Sequence, residues 1–270
     1  MASRTAFEEL PSAVRTAIEL HTGRIHRVDP VSSGLNSQVA ARLYCDAGDV
    51  HVKGLRSDHK WAWTQQREAE VNAYLRGISP ELLWRVRESG WDVLGFSLIT
   101  GHHADYTPES PDLPLVVDLL TRLGGVEAPS IELREAGQRL SSYVDDPALL
   151  SLFEGNALLH TDLNNENVLI QGEHAYMVDW AWATRGAAWL DAGYWVIWLM
   201  AAGGHPAEQA EWWAAKVPSW RTAPCEGIKA FAVANANLWN EIGGNSPDPW
   251  TARMVLAAKE WAEYRSALCS

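Results

Sequence analysis

Leu158-Leu159-His160-Thr161-Asp162-Leu163-Asn164-Asn165-Glu166-Asn167-Val168-Leu169-Ile170 is the stretch whose reading decides the fold. It sets an Asp and an Asn five residues apart on a polar segment between two apolar runs. Twelve residues past Asn167, Met177-Val178-Asp179-Trp180 closes a further apolar run with a lone Asp. The runs 157–159, 168–170 and 175–178 are short and read as buried strands. Gln171-Gly172-Glu173 reads as a turn, so 168–178 is expected to form a hairpin. Such a hairpin would bring Asn167 and Asp179 to the same end of the sheet.

Convergence of an Asp, an Asn and a second Asp has a chemical meaning. Phosphoryl transfer needs a carboxylate to orient and deprotonate a hydroxyl, and oxygen ligands to hold magnesium against phosphates. Asp162 suits the first task, and Asn167 and Asp179 the second. Any one of these residues alone could be an ordinary loop residue. Spacing, flanking strands and the second Asp together are far more specific.

On these residues the chain resembles the aminoglycoside phosphotransferase family, small-molecule kinases that share the protein-kinase fold. The matching text is His160-Thr161-Asp162 with Asn167, then Val178-Asp179-Trp180, and more weakly the helix around Arg67-Glu68-Ala69-Glu70-Val71. The resemblance implies an α+β, two-lobed fold. Residues 1–98 would form a β-rich N-lobe with one main helix, and residues 99–270 a mostly helical C-lobe. It implies Mg2+ and ATP or GTP as phosphoryl donor. It implies His160 and Asp191 as braces of the catalytic loop, Asp191 through the loop backbone.

The family pattern also calls for an N-lobe lysine against the phosphates, paired with a helix glutamate. Lys53 lies in a fitting strand, His51-Val52-Lys53-Gly54-Leu55. Glu68 is preferred over Glu70 as its partner because Glu68, Val71 and Leu75 share helical spacing. The nucleotide-covering loop departs from the protein-kinase pattern. Val31-Ser32-Ser33-Gly34-Leu35-Asn36-Ser37-Gln38 has one glycine where protein kinases have three. Ser33, Gly34, Asn36 and Ser37 could still offer phosphate donors. Leu98-Ile99-Thr100-Gly101 lies where such a fold links its lobes, with backbone at Ile99 and Gly101 for a nucleobase edge. Only Trp180 to Leu190 separate Asp179 from Asp191, without an A-P-E motif. That leaves no platform for a protein substrate and argues for a small-molecule acceptor.

Composition narrows the partners. A charge of −12 disfavours nucleic acid and fits steering of a cationic acceptor. Cys45, Cys225 and Cys269 make no metal or redox pattern, and a reducing cytoplasm is the expected compartment. No apolar signal core or membrane span is read, and a monomer or homodimer is expected. Helices are expected at 10–21, 111–123, 131–143, 189–200, 206–216, 225–239 and 250–268, and strands at 24–31, 38–45, 81–86 and 91–99. Eleven of the fifteen tryptophans lie at or beyond Trp180. Most read as helix packing, with Trp180 and Trp182 as candidates for the acceptor wall. Glu241 and Asp105 are the candidate carboxylates for an acceptor amine. The expected activity is O-phosphorylation of a small hydroxylated, cationic molecule. Antibiotic inactivation is the leading role by resemblance, with a metabolic kinase for choline, a sugar or an amino alcohol as the alternative. A catalytically dead nucleotide-binding module is disfavoured by the full residue set.

Overall fold

The structure, a computed structural model, describes residues 4–31 and 37–268. It divides into two compact units. The first comprises Met1–Thr100 with Val178–Ala181, and the second Gly101–Met177 with Trp182–Ser270.

The first unit runs α1 (Ser12–Thr22), β1 (Ile25–Pro30), β2 (Val39–Cys45), β3 (Val50–Arg56), α2 (Ala62–Asn72), β4 (Leu82–Glu88) and β5 (Trp91–Ser97). The five strands form an antiparallel sheet in the order β1-β2-β3-β5-β4. Side chains alternate across a strand, so Val50 and Val52 point to one face and His51 and Lys53 to the other. Val39, Ala41 and Leu43 of β2 join Val50 and Val52 in one core with Val14 and Ile18 of α1. The four-residue spacing of Val14 and Ile18 supplies the apolar stripe that seats the helix. α2 is different. Its buried stripe of Thr64, Gln65, Glu68, Val71 and Asn72 is largely polar. Buried polar groups require partners. Asn72 finds them in the Pro80 carbonyl (2.8 Å) and the Leu82 N–H (2.7 Å), which fasten the helix end to β4.

The second unit begins with β6 (His102–His103) and α3 (Leu113–Leu123), then β7 (Arg134–Glu135), α4 (Ala136–Leu140) and β8 (Ala157–Leu159). The hairpin β9 (Val168–Gln171) and β10 (His174–Met177) follows, with Gly172 in the turn at φ 60°. β11 (Thr184–Gly186) leads to α5 (Leu190–Ala201), α6 (Ala207–Ala214), α7 (Cys225–Gly243) and α8 (Pro249–Leu268). The strands make two small sheets, β10-β9-β6 and β7-β11-β8. α5 is apolar on nearly every side and is buried along its length. Trp189, Phe153 and Phe231 meet edge to face with centroids 5.5–6.2 Å apart, the favoured aromatic geometry. Trp261 Nε1 and Arg265 of α8 both reach Glu211 of α6. No helix among the described residues is long and apolar enough to cross a membrane.

Two expectations need correction. The segment 131–143 is not one helix, because Arg134 and Glu135 pair in parallel with Thr184 and Arg185. That pairing takes up their backbone, and α4 starts only at Ala136. α7 runs on past residue 239 to Gly243, so Glu241 lies inside the helix rather than beyond its end.

Candidate active site

In the first unit, β3 and α2 aim one residue each at a common point. Lys53 Nζ lies 2.6 Å from Glu68 Oε2 and 3.1 Å from Asp179 Oδ1. Glu70 takes a different partner, Gln66 one helical turn back. The lysine and Glu68 side chains are only 13% and 6% exposed, so water screens them weakly. Burial opposes the Lys53 charge, but Asp179 and Glu68 together hold its pKa above the ordinary lysine range. Burial likewise pushes the Glu68 carboxyl up, with Asp179 adding to it and Lys53 opposing. Asp179 adopts a left-handed backbone, φ 66°, costly for a residue with a Cβ.

The second unit carries the segment from His160 to Asn167. Asp191, in the first turn of α5, accepts the backbone N–H groups of His160 and Thr161, each at 2.8 Å. Burial raises the Asp191 carboxyl above its usual range, against the two bonds that favour its charge. Thr161 is held at φ 69°, an outlier for a β-branched residue. Arg139 secures it: one guanidinium nitrogen donates to Thr161 Oγ1 (2.6 Å), Thr184 Oγ1 (2.7 Å) and the Trp182 carbonyl (3.0 Å). His160 is buried and its Nδ1 accepts the Asp162 N–H at 3.3 Å. Asn167 Nδ2 donates to Asp162 Oδ2 (3.0 Å) and to its carbonyl (3.2 Å). The carboxylate of Asp162 is thereby oriented, and the Asn167 amide oxygen is turned away from it.

Asp162 opens on a cavity of about 400 Å³ that lies wholly within the second unit. Its rings are Tyr143, Trp182, Tyr194, Trp198 and Trp239. Leu140, Ile197, Leu238 and Met254 complete the apolar wall, and Arg134, Arg139, Thr161 and Asn235 the polar part.

The remaining candidates fall as follows. Ser33, Gly34 and Asn36 lie outside the described residues, and Ser37 is half-buried before β2. Ile99 is half-buried near the end of the first unit, and Gly101 begins the second. A Cβ on Gly101 would sit 1.8 Å from the Ile170 carbonyl oxygen, so only glycine fits that approach. Trp182 lines the cavity, whereas Trp180 is 1% exposed and offers no open face to an acceptor. Asp105 is spent on a local turn, accepting from the Thr107 N–H and hydroxyl at 2.9 Å. Glu241 is exposed and accepts the Tyr143 hydroxyl at 3.2 Å. No group of three or more His, Cys, Asp or Glu among the described residues could hold a metal. Magnesium binds through one or two protein oxygens plus phosphates, and amide and carboxylate oxygens are hard donors of the kind it prefers.

Sequence reasoning missed Arg139 and Asn235. Nothing in the sequence marks Arg139, whose partners are 22 to 45 residues away. Asn235 had a signal: it falls on the apolar stripe of Ile228 and Phe231 at helical spacing.

No protein-family model matches the sequence, and no curated protein matches it. Solved structures do match. Choline kinase LicA from Streptococcus pneumoniae superposes with a TM-score of 0.64 at 14% identity, covering 93% of this chain and 98% of that one. The protein has the protein-kinase-like fold. A putative fructosamine-3-kinase from Haemophilus somnus matches with a TM-score of 0.62 at 11% identity, over 92% and 96% of the two chains. A thermostable mutant of aminoglycoside phosphotransferase APH(4)-Ia matches at 0.59 and 14%, over 95% and 100%. The same enzyme is known in a ternary complex with ADP and hygromycin B, and LicA in complex with AMP. At these identities the likeness is one of fold, and it runs nearly end to end.

Proposed function

We propose that this chain is a nucleotide- and Mg2+-dependent O-phosphotransferase acting on a hydroxyl of a small molecule. The observation that carries the reading is Asp162: its carboxylate is fixed by Asn167 and faces a cavity large enough for a small acceptor. In this reading Asp162 receives the proton of the acceptor hydroxyl. The acceptor oxygen forms a bond to the γ-phosphorus as the bond to the nucleoside diphosphate breaks. Lys53, held by Glu68, offsets negative charge on the phosphates. His160 and Asp191 hold the loop, and the backbone near Ile99 and Gly101 meets the base. Asn167 and Asp179 would hold the magnesium, which supplies charge neutralisation at the phosphate oxygens. The phosphate-covering residues Ser33, Gly34, Asn36 and Ser37, and the lobe boundary at 98/99, stand on the resemblance.

Fold neighbours that include choline, fructosamine and aminoglycoside kinases support a small-molecule acceptor. Antibiotic inactivation and metabolic phosphorylation are both consistent with that company. The test is Mg2+-dependent ADP or GDP release by purified protein across aminoglycosides, other antibiotics, choline, amino sugars and uncharged alcohols. Acceptor-dependent release sustains the reading. Absence of any nucleotide binding, measured by calorimetry, sinks it.

A further inference from the structure

The charge inside the cavity has the opposite sense to the charge of the chain. The protein carries a net −12, yet Asp162 is the only carboxylate among the described residues that line the cavity. Two guanidinium groups line it as well. Arg134 and Arg139 lie 5.3 and 5.9 Å from the Trp182 ring, so that aromatic face is already engaged by cations. An ammonium group entering here would meet two like charges and one carboxylate, and that carboxylate is the group assigned to the reacting hydroxyl. Glu241, which accepts the hydroxyl of the lining residue Tyr143, is exposed and is not itself part of the lining. An aromatic box can hold a cation when its faces are open and acidic groups support it. Here two guanidinium groups lie over Trp182, Trp198 stacks on Trp250, and Asp162 is the one carboxylate among the described lining residues.

A second observation concerns polarity. Asn235 is 0% exposed, its Nδ2 donates to the Phe231 carbonyl at 2.9 Å, and its Oδ1 is buried with no hydrogen-bond donor. Buried amide oxygens are nearly always satisfied. This one belongs to a residue of the cavity wall, where a ligand O–H or N–H would complete it.

We propose that the cavity takes a largely apolar alcohol with no cationic group, packed against Trp198, Trp239 and Met254, with a second O–H or amide N–H donated to Asn235 Oδ1. The volume of about 400 Å³ falls in the range of drug-sized ligand sites rather than that of a two-carbon amino alcohol. The proposal rests on the phosphotransferase reading only for which hydroxyl reacts. The binding preference stands or falls separately.

The experiment is titration calorimetry on the full chain with four probes: a naphthyl ethanediol, naphthylethanol without the second hydroxyl, the matched naphthyl aminoethanol (cationic at neutral pH), and hygromycin B. The diol is expected to bind at least about tenfold more tightly than the amine, the scale of one charge-assisted contact. Asn235→Leu should cost the diol about tenfold and leave naphthylethanol nearly unchanged. If that variant misfolds, Asn235→Asp keeps the volume and should move preference toward the amine. Tighter binding of the amine or hygromycin B than of the diol overturns the proposal, as does failure of every probe to bind. ADP release is read in parallel. Diol binding without release would count against the kinase reading alone, and turnover of hygromycin B without diol binding against this proposal alone.

Discussion

Lys53, Glu68 and Asp179 meet at 2.6 and 3.1 Å, whereas the cavity beside Asp162 holds about 400 Å³ of space between rings. The first cluster is built from charge in near-dry surroundings. There, a lysine stripped of both carboxylates would be a buried ion without compensation, which costs several kcal/mol. Few arrangements satisfy that demand, so the residue types and their spacing are narrowly set. The second is built from aromatic and aliphatic contact, which many side chains supply almost equally well. In the proposed reaction the phosphate end would therefore be narrowly specified, whereas the acceptor wall could vary on the same fold.

The largest expected effect falls on Asp162, the base of the proposed reaction. Asp162→Asn keeps the shape of the side chain and removes the base, so turnover should fall by about 10²–10⁴. Nucleotide affinity by calorimetry should stay within a few-fold of the parent. A variant that retained most of its turnover would show that Asp162 is only a lining group. Glu68→Gln comes next. It preserves volume but withdraws one charge from Lys53, and turnover is expected to drop about tenfold to a hundredfold, matching a lost charge-assisted hydrogen bond. Chemical denaturation should change little, because Asp179 still pairs with the lysine. A reversal, with stability lost and turnover kept, would make the cluster structural.

Asp191→Asn probes the brace rather than the reacting groups. One of its two backbone bonds must be lost, since an amide has a single accepting oxygen. The expected loss is about 2–3 kcal/mol of stability, read from urea unfolding. The smallest effect concerns His51, which shares the Lys53 face of β3. Burial first, and then the charges of Lys53 and Arg42, push its pKa from 6.5 down to about 4. Between those values the unfolded chain binds a proton that the folded chain refuses, so stability falls as pH falls through that window. The slope should amount to about 1–2 kcal/mol by pH 4 after allowing for partial exposure, and His51→Gln should flatten it.

The same contrast explains what could be seen in the sequence. The strands of the first unit were legible because Leu43, Val50 and Val52 alternate with residues such as Arg42, His51 and Lys53, and one sheet face packs on α1. The hairpin 168–177 was legible from two short apolar runs about one glycine turn. β7 was not, because its pairing with Thr184 and Arg185, about fifty residues away, overrides the local helical pattern in Arg134 and Glu135. The cavity was illegible for a related reason. Tyr143, Trp182, Trp198, Asn235 and Met254 come from distant segments and meet only through tertiary packing. Net charge is a whole-chain sum and carries no information on the sign inside one pocket.

Arg139 touches both stories. One guanidinium nitrogen ties the strained Thr161, the Trp182 carbonyl and β11, while the rest of the side chain faces the acceptor cavity. Under the proposed reaction, selection or engineering for a new acceptor would have to reshape a wall whose keystone also sets the posture of the loop that carries Asp162. Changes around Trp182 should therefore shift rate and specificity together, whereas changes on the far wall, at Leu238 or Trp239, can retune specificity alone. Lineages that diversify their acceptors are expected to do so from the α7 side.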